Sequence, residues 1–118
     1  MTVGERGEQY AAEYLVEQGF RILARNVHCR YGELDIVAED ESYLVFAEVK
    51  TRSGVRFGTP AQAVTVQKQR KLTIAAQQWL LMHETQRQPR FDVIEVYVSH
   101  SVQLRKIVHL PNAFEAIE

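Results

Sequence analysis

Apolar and polar positions recur along the chain with two periods, and the switches between them mark out the elements. From Gly4 to Gln18, Ala11, Ala12 and Leu15 fall on one helical face together with Glu8. Thr2 and Glu5 have capping-box spacing and Gly19 supplies a stop, so residues 2–18 are predicted helical. Residues 20–24, Phe-Arg-Ile-Leu-Ala, read as a strand. After the turn at Tyr31-Gly32 a second strand covers 33–38, with Leu34, Ile36 and Ala38 alternating against Glu33, Asp35 and Val37. The turn cluster 40–42 leads into 43–50, a nearly continuous apolar run that fits a strand covered on both faces. The second and third strands are expected to form a hairpin.

Residues 52–58 form a loop with two glycines. Thr59, Pro60 and Gln62 combine a cap, a proline at the first helical position and a capping-box partner, opening a helix predicted to run to about His83. Its apolar face is Val64, Leu72, Ala75, Ala76, Trp79 and Leu80. Strands at 91–98 and 102–108 follow, and 112–114 close the chain. The resulting order, α-β-β-β-α-β-β, places a helix between the third and fourth strands and so allows a parallel crossover. The expected fold is an α/β mixed central sheet flanked by helices, in one domain over 1–118.

Composition narrows the class. The 118 residues are 46% apolar and 25% charged, which excludes disordered, collagen-like and disulfide-scaffold chains. No apolar run is long enough for a membrane helix, and the charged start lacks the apolar stretch of a secretory signal. The lone Cys29 fits a reducing compartment, and a cytoplasmic location is expected. A net charge of -1 conceals asymmetry: residues 49–83 carry Lys50, Arg52, Arg56, Lys68, Arg70 and Lys71 and no acid.

Candidate chemistry lies in the second and third strands. Alternation points Glu33, Asp35 and Val37 to one side, and Phe46, Glu48 and Lys50 to one side of the neighbouring strand. If those sides coincide, Asp35, Glu48 and Lys50 converge. A carboxylate turned toward the covered side of a sheet is costly unless paired or metal-bound. Mg²⁺ accepts one or two carboxylates and completes its shell with water and phosphate oxygens. Phosphodiester hydrolysis is the matching reaction, with Lys50 serving the developing charge or the attacking water. Glu8, on the packing stripe of the first helix, could bring a third carboxylate. The basic segment, Arg52, Arg56, Lys68, Arg70 and Lys71, would grip the phosphate backbone. The same spacing also suits a salt-bridged strand edge that discourages aggregation.

At these residues the chain resembles a known family. The blocks GERGEQYAAEYLVEQGFRILARN, YGELDIVA, LVFAEVKTR, FGTPAQAVTVQKQRKL and RFDVIEV, in that order, are similar to the YraN family of uncharacterised bacterial proteins over nearly the whole chain. That family is similar to archaeal Holliday-junction resolvases and to restriction-endonuclease-like PD-(D/E)xK nucleases. The resemblance implies a restriction-endonuclease-like fold and a Mg²⁺ or Mn²⁺ cofactor. It implies metal ligation by Asp35, Glu48 and Glu8 and a catalytic set of Glu8, Asp35, Glu48 and Lys50. Glu33 and Gln62 match the family blocks as supporting residues, and Lys68 matches without a role that spacing explains. Leu34 stands where nucleases of this type have proline, and Ala47 replaces a larger apolar residue.

The expected function is a metal-dependent endonuclease-like protein acting on structured or branched DNA. The alternative is a non-catalytic module that keeps the nuclease fold and binds nucleic acid or a protein. A homodimer is suggested by the resolvase resemblance alone. His28, His83, His100 and His109 lack metal-ligand spacing and read as surface or loop residues. Trp79 shares the stripe of Leu72 and Ala76 and reads as core.

Overall fold

The computed structural model describes residues 1–54 and 64–117. Helix α1 (Val3–Glu17) starts where Thr2 Oγ1 accepts the Glu5 N–H at 3.1 Å and ends before Gly19, whose φ of 95° suits glycine. Strands β1 (Arg21–Cys29), β2 (Gly32–Glu39) and β3 (Tyr43–Ser53) follow. Helix α2 (Val66–Met82) connects β3 to β4 (Gln88–Val98), and β5 (Leu104–Phe114) completes the set. The strands form a single five-stranded sheet in the order β1-β2-β3-β4-β5. The β3–β4 pair is parallel and the other pairs antiparallel, so the hairpin and the crossover expected from the sequence are both present.

Each sheet face carries a helix. On one side Ala11, Ala12 and Leu15 of α1 pack on Ile36, Ala38, Val45, Ala47, Ile94 and Val96. On the other, Leu72, Ala75 and Ala76 of α2 pack on Leu34, Val37, Phe46, Phe91 and Val93. A strand buried on both faces has little room for polar alternation, which is why β3 and β4 read as continuous apolar runs.

Several boundaries differ from the sequence reading. β3 runs on to Ser53, past Lys50 and into the loop expected from residue 52, because its parallel pairing with β4 continues to Ser53↔Val98. β1 extends to Cys29 instead of ending at Ala24, because pairing with β2 continues past a bulge near Ile22 and through Asn26 at φ 52°. β5 runs beyond Val108 through Pro111, which an edge strand tolerates because it needs no donor on its open side. β4 begins at Gln88, three residues before Phe91. α2 begins at Val66, with Thr65 Oγ1 accepting the Lys68 N–H at 3.1 Å. The capping signal at Thr59, Pro60 and Gln62 lies outside the described residues. Among the described residues no helix is long and apolar enough to cross a membrane.

Candidate functional site

The second strand does not alternate throughout. Leu34 belongs to the core under α2, whereas Ile36 and Ala38 belong to the core under α1. The break falls at Asp35. Pairing of β2 with β3 runs from Glu39↔Leu44 to Ile36↔Ala47 and stops there. Beyond that point Asp35 Oδ2 accepts the Val49 N–H at 2.9 Å, supplying the acceptor a ladder carbonyl would otherwise provide. The strands therefore fork, and the Asp35 carboxylate stands in the fork.

Glu48 leaves β3 on the α2 side of the sheet, as do its even-numbered neighbour Phe46 and its register partner Val93. Its carboxylate lies within electrostatic reach of the Asp35 carboxylate, and Lys68 of α2 stands 3.7 Å from Glu48 Oε1. Burial, then the neighbouring Asp35 charge, pushes the Glu48 carboxyl up to about 7. Burial likewise raises Asp35, against the lowering pull of the Val49 amide and Lys68. Lys50 acts on Glu48 as a favourable charge and forms no ion pair with a described residue.

Glu8 approaches from the α1 side. Its position is set by Gly7, which meets β3 so closely that a Cβ there would lie 1.8 Å from Thr51 Oγ1. Burial and the Asp35 charge raise the Glu8 carboxyl, and Arg25 lowers it. Glu8 Oε1 and Glu48 Oε2 are buried without a hydrogen-bond partner among the described residues. Buried carboxylate oxygens lacking donors are what a cation-holding site leaves when its cation is not counted, so the donor set fits a hard divalent ion. Among the described residues no three acidic or imidazole groups lie close enough to hold a metal by themselves. Asp35 and Glu48 form the pair, and Glu8 stands off from it, within reach of its charge.

The remaining candidates divide. Glu33 is exposed, pairs with His28 at 3.0 Å, and adds negative charge near Glu8 and Asp35. Arg70 and Lys71 are exposed on α2, where the Lys71 backbone packs against Gly32 at the start of β2. Arg52 is not the open phosphate contact expected from its charge: it turns inward, with Nε donating to Glu95 at 3.0 Å, and Glu95 is only 2% exposed. Arg56 and Gln62 lie outside the described residues.

Sequence reasoning missed three acid-centred arrangements. Arg25 on β1 donates to Gln9 at 2.9 Å and sits beside Glu8. Glu95 receives Arg52. Asp92, fully buried, takes two bonds from Arg90 at 2.8 Å, one from the Asn112 N–H at 2.9 Å and a contact from His109 Nε2 at 2.7 Å, and His109 Nδ1 meets the Tyr14 hydroxyl at 3.0 Å. The signal was present, since Asp92 and Glu95 interrupt an apolar strand as Asp35 and Glu48 do.

Residues 7–96 match the model of a family described as "Uncharacterised protein family UPF0102". A UPF0102 protein of Symbiobacterium thermophilum is 50% identical over 115 residues, covering 97% of each chain. Another from Caldanaerobacter subterraneus subsp. tengcongensis is 45% identical over 115 residues, covering 96% of this chain and 94% of its own. A third from Rhodococcus opacus is 44% identical over 117 residues, covering 97% of each.

Proposed function

Because the chain belongs to the uncharacterised protein family UPF0102, the YraN-like group, we propose its function from its own side chains: a Mg²⁺- or Mn²⁺-dependent, endonuclease-like protein that hydrolyses phosphodiesters in structured or branched DNA. The reading includes a restriction-endonuclease-like core, which the element order and the mixed sheet favour. The observation that carries it is the Asp35–Glu48 pair in the forked ladder, with buried unpartnered oxygens on Glu48 and Glu8 and two ammonium groups beside it.

Asp35 and Glu48 would hold the cation, and Glu8 would act on it through its charge and through water. When bound, such an ion polarises a phosphoryl oxygen and lowers the barrier to attack by water. The protein's own part is positioning and charge. The Val49 amide fixes one Asp35 oxygen, leaving the other free to face the site. Lys50, two residues beyond Glu48 and on the same side of β3, offers an ammonium to charge that grows on the phosphate. Arg70 and Lys71 remain in water on α2, where they can meet flanking phosphates.

The test is cleavage of labelled duplex, flap, splayed and four-way DNA with Mg²⁺ or Mn²⁺. Asp35→Asn and Glu48→Gln are expected to abolish cleavage while leaving DNA affinity nearly intact. Absence of metal-stimulated cleavage on every substrate by the unmodified protein would favour a binding module with the same fold.

A further inference from the structure

Lys68 matched the family blocks without a role that spacing explained, and its placement now supplies one. Its backbone is anchored at the start of α2, where its N–H donates to Thr65 Oγ1 at 3.1 Å. Its side chain is free by comparison. Nζ stands 3.7 Å from Glu48 Oε1, beyond hydrogen-bond length, and 44% of the side chain is in water. The contact is charge attraction without a directed bond, and so is easily exchanged. The position also runs against the helix dipole, which disfavours a cation in the first turn, and that turn holds no acid to offset it. Glu48 is the ion-pair partner of Lys68 among the described residues.

Charge balance points the same way. Glu8, Asp35 and Glu48 face Arg25, Lys50 and Lys68, and Glu33 and Glu5 add negative charge from the rim, so the ionised site is slightly negative before any metal enters. A divalent cation on Asp35 and Glu48 removes that excess and competes directly with Lys68 for Glu48. One of the resident cations then loses its reason to stay with a carboxylate, and Lys68, 3.7 Å from Glu48 with 44% of its side chain in water, is placed to leave.

Resting on the reading of Asp35 and Glu48 as a metal-holding pair, we propose that Lys68 is a tethered counter-ion of the site: it holds Glu48 while no divalent cation is present, and passes to a backbone phosphate of the nucleic acid when the cation binds. Metal loading and DNA binding are thereby coupled through one ammonium group. Lys50, farther along β3, keeps its place in both states.

The test compares the full-length protein with Lys68→Met, which keeps the stem and removes the charge, and with Lys106→Met, at an exposed lysine of β5, as a control. Folding is checked by circular dichroism. Mn²⁺ affinity is measured by calorimetry at pH 8, and affinity for a labelled four-way junction by anisotropy, in EDTA and in Ca²⁺ to bind without cutting. Lys68→Met is expected to bind Mn²⁺ roughly two- to fivefold tighter, the span of a half-exposed ion pair. Its DNA affinity should equal that of the unmodified protein in EDTA and fall in Ca²⁺, with the salt slope lowered by about one. Lys106→Met should leave Mn²⁺ affinity and DNA affinity unchanged. Equal Mn²⁺ affinity in Lys68→Met and the unmodified protein overturns the inference and leaves the metal pair standing. So does an equal loss of DNA affinity in EDTA and in Ca²⁺, which marks a plain phosphate contact. Failure of the unmodified protein to take up Mn²⁺ removes the metal pair and the inference together.

Discussion

Neutralising Glu48 is expected to stabilise the protein at alkaline pH. The carboxyl is pushed from 4.5 to about 7 by burial and by Asp35. A folded state that holds its proton more tightly than the unfolded chain loses stability as pH rises through the interval between the two values. The group therefore costs nothing below about pH 4.5, and above pH 7 it costs about 3 kcal/mol at about 1.4 kcal/mol per pH unit. Because Asp35 and Glu48 each raise the cost of charging the other, the loss belongs to the pair. Glu48→Gln should remove most of it. Urea unfolding at pH 4.5 and pH 8, followed by circular dichroism, reads the difference between variant and unmodified protein at each pH. That difference should shift by about 2–3 kcal/mol in favour of Glu48→Gln between the two pH values. Groups such as Asp40 and Asp92, whose carboxyls are held low, titrate in both proteins and cancel. A difference independent of pH, or one that favours the unmodified protein at pH 8, refutes the reasoning. Saturating Mn²⁺ should recover the loss in the unmodified protein only, by about 2.7 kcal/mol at a hundredfold excess over Kd.

Further outcomes follow from particular contacts. Gly7→Ala drives a methyl group into Thr51 and should lower stability by about 1–3 kcal/mol despite alanine's better helix propensity, as read from the urea midpoint. Glu95→Ala strands Arg52 in a mostly buried position and should cost about 3–5 kcal/mol; a change under 1 kcal/mol would show that water already satisfies the guanidinium. Asp92 is held below its ordinary value chiefly by His109 and Arg90 against burial, so its contribution is present above pH 3.8 and lost as pH falls below it. Asp92→Asn should therefore narrow the gap to the unmodified protein on acidification through that range.

Much of this was legible in the chain. The acids at 35 and 48 stood out because apolar strands have no reason to hold them, and the lysine two residues on followed from strand period. The helical stripe through Ala11 and Leu15 placed Glu8 toward the sheet on the α1 side, within reach of the Asp35 charge but across the sheet from Glu48. The start of α2 was misplaced because Pro60 and Gln62 form a stronger local signal than Thr65, whose first turn has a lysine where a capping box has an acid. Arg52 was assigned to the surface because charge alone cannot reveal an acid buried on the next strand. The break in alternation at Asp35 was invisible, since it depends on where pairing with β3 stops.

That fork has a consequence for observation. The Val49 amide is protected by a side chain whose second task is at the site, not by a neighbouring strand. Its hydrogen–deuterium exchange therefore reports on Asp35 directly. A shift in that one amide's protection, with its neighbours in β3 unchanged, would register any ligand that pulls the carboxylate away, making the backbone itself a built-in gauge of occupancy.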